Sequence, residues 1–144
     1  TFNGHTYALT SAAMTWAQAK VIATALGGYL TTINTKAEND WLTAIFRIPY
    51  GESWIGANDI ATNNTWVWDN GTTSGDNGLT DDLCGSTGCP VSDATWADNT
   101  NKWHVPNQNP NHSGDSCGYI WVTSGGWDDV ACSLSKYAII EFDL

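Results

Sequence analysis

Positive charge is scarce in this sequence: five lysines and arginines stand against fifteen aspartates and glutamates, a formal net charge of −10. Phosphate backbones and anionic bilayers are held by clustered Lys and Arg, so the scarcity argues against nucleic acid and anionic membrane surfaces as partners. No apolar run approaches the ~20 residues that a membrane-spanning helix requires, and no membrane insertion is expected. No leader segment is recognisable ahead of Thr1, so the expectation is a mature fragment or excised module of a longer, multidomain secreted or surface protein. Cysteine pairs at CxxC spacing are missing too, which removes zinc-thiolate and thioredoxin-type motifs. His5, His104 and His112 have no spacing that makes a zinc site. No serine or cysteine stands in a nucleophile context, and no enzyme is expected.

What remains is rich in aromatics and loops: nine tryptophans and fourteen glycines in 144 residues. That length suits one domain, residues 1–144, burying about 68–70% of its unfolded surface. The four cysteines, Cys84, Cys89, Cys117 and Cys132, suit two disulfides with three pairings possible, and so an oxidising compartment outside the cell. Acidity of this degree also suits divalent cations.

Thr15-Trp16-Ala17-Gln18 has the form of a capping box, and Trp16, Ala19, Ala23 and Leu26 recur at helical spacing up to Gly27-Gly28, which predicts an amphipathic helix ended by a left-handed glycine. Thr35-Lys36-Ala37-Glu38 repeats the signal, with Ala37, Trp41, Leu42 and Ile45 as a second apolar stripe. After Trp54 short aromatic and β-branched runs alternate with Gly, Asn and Asp clusters, and strands are expected near 53–57, 65–69, 118–122, 127–132 and 136–142. Residues 70–116 show almost no periodicity, and so long a stretch inside a compact domain signals function or disorder. Helices early and strands late make the fold class α+β.

The last quarter is the most specific. Asn109-Pro110-Asn111, Asp115, Cys117, Trp127-Asp128-Asp129 and Cys132 fall within twenty-four residues. An X-Pro-Asn tripeptide, an acid two residues before a cysteine, and Trp-Asp-Asp-x-x-Cys resemble the site motifs of C-type lectins. Trp16-Ala17-Gln18-Ala19 with Leu26-Gly27-Gly28-Tyr29-Leu30, then Trp54-Ile55-Gly56, Trp66-Val67-Trp68-Asp69 and Tyr137-Ala138-Ile139-Ile140-Glu141-Phe142 follow that family's order across roughly residues 5–143. The resemblance implies two helices with small antiparallel sheets and a long loop region of approximately 70–116. Local pairing, Cys84–Cys89 and Cys117–Cys132, is then expected, the second being the family's long-loop disulfide. Ala23 and Ile140 stand where the family's other usual disulfide would be, a pattern similar to bacterial members.

Carried over residue by residue, the resemblance implies a Ca2+ ion held by Asn109, Asn111, Asp115, Asp128 and Asp129. Calcium takes six to eight oxygen ligands, and this set offers three carboxylates and two amides. The register Val105-Pro106-Asn107 is less suited, since valine offers no oxygen. The family's mannose-type Glu-Pro-Asn reads Asn109-Pro110-Asn111 here, and its Trp-Asn-Asp reads Trp127-Asp128-Asp129: one carboxylate lost, one gained. Neighbouring sugar hydroxyls complete the calcium sphere in that family, each accepting from an amide and donating to an acid. Here Asn109 with Asn111 would flank one hydroxyl and Asp115 with Asp128 the other, so the usual diol geometry is altered or weakened.

Plainer readings stand beside these. Asn, Asp and Pro are ordinary turn residues, and Asn107 to Asp115 could be a loop of Asx turns. Trp16, Trp41, Trp54 and Trp68 read as core. Trp96 and Trp103 lie in the polar loop, where an indole face could stack on a sugar or fill a satellite core; Trp103 is counted with Asn109, Asn111, Asp115 and Asp128 as a glycan-binding candidate. Asp128 and Asp129 are no glycosidase pair, because adjacent strand residues point to opposite faces. The expected function is calcium-dependent recognition of a glycan, through vicinal hydroxyls or a terminal sugar, as a module of a secreted or surface adhesin. The alternative is the same fold engaging a protein or another surface, ice included, without sugar coordination.

Overall fold

The computed structural model describes residues 1–63, 65–69, 103 and 114–143. Its elements run β1 (His5–Leu9), α1 (Trp16–Ala25), β2 (Tyr29–Leu30), α2 (Lys36–Leu42), a π-helical turn (Thr43–Arg47), α3 (Ile48–Tyr50), β3 (Ser53–Asn58), β4 (Ser116–Ile120), β5 (Trp127–Ala131) and β6 (Tyr137–Asp143). The fold is α+β, with the helices all in the first half and the six strands divided equally between the two halves.

The capping box forms at α1: the Gln18 amide donates to the Thr15 hydroxyl oxygen and the Thr15 amide to the Gln18 side chain. Gly27, at φ +83°, supplies the left-handed exit. Trp16, Ala19 and Ala23 are buried as expected, whereas Leu26 caps the helix and is 62% exposed. At α2 the cap is one-sided. Thr35 accepts from the Glu38 amide, but the Glu38 carboxylate turns inward to the Asn34 amide and the Tyr7 hydroxyl. The stripe expected on Ala37 and Ile45 is rotated: Ala37 is exposed and Ile45 is 44% exposed, while Leu42, Thr43 and Phe46 face in. The π turn accounts for Ile45 and Phe46, because its wider i→i+5 pitch advances each residue by less than the 100° of an α-helix and shifts the phase; Ala37 precedes it, on the face of α2 opposite the buried Glu38, Asn39 and Leu42.

The strands pair in the order β1-β6-β3-β4-β5, with β2 also on β6. The resemblance implies small antiparallel sheets; the observed path is continuous and mixed, because β3 runs parallel to β6 at Ser53↔Tyr137 and Trp54↔Ala138. Residues 65–69 give an isolated bridge, Asn58↔Val67, in place of a strand. β1 and β2 were not expected; both are short and lie on β6.

Strand alternation gives the sheet two apolar faces. Trp54, Cys117, Tyr119, Ala138 and Ile140 pack against Trp16, Ala19 and Ala23 of α1. Ala23 and Ile140 are both buried in that cluster, so apolar contact fills the place of the family's other cysteine pair. On the opposite face Ile55, Ile120 and Ile139 pack with Leu42, Phe46 and the tryptophans Trp66, Trp68, Trp103 and Trp127. Indole N–H groups tie elements together: Trp16 donates to the Ile55 carbonyl at 2.9 Å and Trp54 to the Met14 carbonyl at 3.0 Å.

Asn39 joins the helical half to the strand half. Its side chain donates to the Gly125 carbonyl at 2.9 Å and accepts the Trp127 indole N–H at 2.8 Å. Gly125 sits at φ +95°, and a Cβ there would stand 2.6 Å from the Asn39 amide nitrogen. Removing the side chain with Asn39→Ala orphans two buried polar groups, so urea unfolding is expected to show a loss of about 2–4 kcal/mol. Ala37→Ser, on the exposed side of α2, is expected to change stability by under about 0.5 kcal/mol in the same assay.

Candidate functional site

β4 and β5 form an antiparallel hairpin, in register from Ser116↔Ala131 to Ile120↔Trp127, and the Cys117–Cys132 disulfide spans its open end with the Cα atoms 5.0 Å apart. At the closed end the amides of Trp121 and Val122 both donate to the Gly126 carbonyl. This hairpin carries Asp115, Asp128 and Asp129. Asn109 and Asn111, together with Cys84, Cys89 and Trp96, lie outside the described residues.

Trp127 fixes the hairpin's position. Its buried ring stands 5.8 Å from Trp68 and 5.6 Å from Trp103, both edge-on, and Trp66 lies 4.6 Å from Trp103. Trp103 also bridges Trp127 as a parallel backbone pair on the outer edge of β5. The sugar-stacking role considered for Trp103 is therefore corrected: its side chain is only 3% exposed and has no ring face to offer. A loop tryptophan beside three other indoles gains more from burial than from presenting its face to water.

Asp128 and Asp129 follow Trp127 and point to opposite sides of β5. Asp129 shares the Trp127 side and is buried. Asp128 faces Tyr119, its register partner, whose hydroxyl donates to Asp128 Oδ2 at 2.9 Å. The other oxygen, Asp128 Oδ1, is buried without a hydrogen-bond partner. β5 is the edge strand of the described sheet, with Trp103 bridged to Trp127 beside it. Among the described residues, Asp115, Asp128 and Asp129 do not bring three ligand atoms within 4.8 Å of one another.

Asp115 is exposed, on a turn fixed from beneath. Gly114 adopts φ +95° and the Ser116 hydroxyl donates to its carbonyl. Asp59, buried at the end of β3, accepts the Ser116 amide at 2.7 Å and donates its own amide to the Ser116 carbonyl. Sequence reading missed Asp59 as the anchor of this turn and Tyr119 as the holder of Asp128. The only signal was an acid directly after a strand without polar alternation, Ser53-Trp54-Ile55-Gly56-Ala57-Asn58.

Tyr119 is enclosed by charge. Lys136 lies 4.0 Å over its ring and pairs with Glu52. Burial foremost, then the hydrogen bond to Asp128 and the negative charges of Asp128, Glu52 and Asp129, hold the phenol far above its ordinary value. The unfolded phenol loses its proton near pH 10 while the folded one keeps it, so this stabilisation is fully present below about pH 10 and is lost as pH rises through the alkaline range. Chemical unfolding in EDTA is expected to show stability falling above about pH 10, with a shallower fall in Tyr119→Phe; equal slopes would contradict the assignment.

The Lectin C-type domain family model matches residues 12–142. C-type lectin domain family 6 member A of Homo sapiens is 23% identical over 145 residues, covering 99% of this chain and 57% of that protein. C-type mannose receptor 2 of Homo sapiens is 27% identical over 143 residues, covering 97% of this chain and 8% of the receptor. The chain thus spans little more than half of one relative and a small part of the other. Among solved structures, the mouse scavenger receptor C-type lectin carbohydrate-recognition domain superposes with a TM-score of 0.73 at 20% identity, over 99% of this chain and 91% of that one. A calcium-independent type II antifreeze protein superposes with a TM-score of 0.70 at 22% identity, over 99% and 89%. With motif order, topology and a match over nearly its whole length in agreement, the chain belongs to the C-type lectin domain family.

Proposed function

We propose that this domain recognises carbohydrate through a calcium ion whose ligands are Asn109, Asn111, Asp115, Asp128 and Asp129. The observation that carries this is Asp128. One of its oxygens is held by Tyr119 and the other is buried without a hydrogen-bond partner, and a buried polar atom is normally completed by a donor or a coordinated ion. The five residues are all oxygen donors, the chemistry a hard cation takes. Bound calcium would supply a positive centre to which sugar hydroxyls coordinate. The chain's own residues then sort those hydroxyls: Asn109 and Asn111 donate to lone pairs, and Asp115 and Asp128 accept hydroxyl protons.

Asp59 and the Cys117–Cys132 disulfide hold the turn and hairpin that carry Asp115, Asp128 and Asp129. Relatives that are receptors and lectins, one solved with an N-glycan and one with an oligosaccharide, support a glycan partner and no catalytic role. Among the described residues no helix is long and apolar enough to cross a membrane. We place the domain in a secreted or cell-surface protein, as the recognition module of an adhesin, where linked copies would strengthen a modest site by raising effective concentration.

A second reading has one observation behind it. Amides fall together at 109 and 111 and acids at 115 and 128, which leaves each hydroxyl without one of its two usual partners. The fold is shared with a calcium-independent antifreeze protein, so a protein or other surface bound without sugar coordination is the competing use.

A glycan array probed in millimolar calcium, in EDTA and with Asp129→Ala separates the two. Binding lost in both controls is expected; binding that survives chelation would overturn the calcium lectin. Calcium at a hundredfold excess over its Kd is also expected to stabilise the wild type by about 2.7 kcal/mol in thermal unfolding and to leave Asp129→Ala unchanged.

A further inference from the structure

We propose that His5, Glu141 and Asp143 form a separate cation site for a zinc-type metal where β1 meets β6, independent of the calcium ligands. Glu141 and Asp143 are two apart on β6 and so share a face, and His5 is the register partner of Asp143 on β1. His5 Nδ1 lies 3.0 Å from Glu141 Oε1 and 3.2 Å from Asp143 Oδ1, and all three donor atoms fall within 4.8 Å of one another. Nitrogen and oxygen donors held roughly 2.0–2.2 Å from a tetrahedral zinc ion stand about 3.3 Å apart, close to both separations. The imidazole selects the metal: calcium and magnesium prefer all-oxygen shells, whereas zinc takes a mixed set.

The surroundings orient the donors as metal ligands are usually oriented, through hydrogen bonds from an outer layer. Glu141 Oε2 accepts from the Thr31 hydroxyl and the Thr32 amide, both at 2.9 Å. Tyr29, the register partner of Glu141 on β2, donates its hydroxyl to Asp143 Oδ1 at 2.8 Å. The Glu141 side chain is fully buried, and that of Asp143 is 56% exposed, so the cluster opens to solvent on one side, where a water can be the fourth ligand. Charge separates this reading from a plain ion pair. A protonated imidazole between two carboxylates leaves the cluster at −1 beside a fully buried glutamate, whereas a divalent ion on a neutral imidazole brings it to zero. No motif announces the site, because its donors come from positions 5, 141 and 143 and meet only through the β1–β6 ladder.

The test is a zinc titration of the whole domain, by calorimetry and by competition with a chromophoric chelator, in saturating calcium. Wild type is expected to bind one equivalent that is lost in both His5→Gln and Asp143→Asn, while Asp129→Ala retains it. Asp143 is exposed, so Asp143→Asn is expected to keep the wild-type circular dichroism spectrum and serves as the folded control. Tyr29→Phe, which removes only an outer hydrogen bond, is expected to weaken zinc about 10–100-fold. Absence of binding at about 100 µM free zinc, or binding equally tight in a folded His5 or Asp143 variant, would overturn the site.

Discussion

The position of Trp127 is the constraint on which the candidate site depends. Its indole N–H is committed to Asn39 on α2, its ring is wedged between Trp68 and Trp103, and its backbone begins β5. A side chain fixed on three sides leaves the strand no freedom of register, and a slip of one residue would exchange the faces of Asp128 and Asp129. Four tryptophans thus do more than fill volume. They determine which carboxylate meets Tyr119 and which faces the indole cluster.

Polar anchoring beneath the site follows the same economy. Asp59 holds Ser116, Tyr119 holds Asp128, Asn39 holds Gly125 and Trp127, and Glu141 holds Thr31 and Thr32. Each anchor is a buried or half-buried polar side chain, and all but Tyr119, which reaches across its own hairpin, bridge elements far apart in sequence. Such networks have high stakes: complete, they specify one geometry, and with one member missing they leave uncompensated polar groups in a low dielectric. Asp128 Oδ1 is among the buried side-chain atoms without a hydrogen-bond partner, and it belongs to the proposed calcium shell.

Much of this was legible in the sequence, for local reasons. The capping box at Thr15 and Gln18, the left-handed Gly27 and the strands around Trp54, Trp127 and Ile139 are set by neighbours within a few residues. What was not legible depends on contacts between distant segments. The inward turn of Glu38 follows from Tyr7, thirty-one residues away, and the phase of Ile45 and Phe46 follows from a π turn that propensity does not foretell. Burial of Trp103 needed three other indoles, and the role of Asp59 needed Ser116. The His5 cluster joins opposite ends of the sequence, where no spacing rule applies. Motif order identified the family, since Trp-Asp-Asp-x-x-Cys is a local signature; Asn109 and Asn111 remain assigned by that order alone.

In the proposed function an ion is held beside β5 by Asp128 and Asp129. A crystal structure grown in calcium, with anomalous scattering used to place the ion, addresses it most directly. A calcium ion is expected about 2.3–2.6 Å from Asp128 Oδ1 and from Asp129, with Asn109 and Asn111 completing its shell. A map in which Asp128 Oδ1 meets a protein donor instead, with no ion beside Asp129, would contradict it.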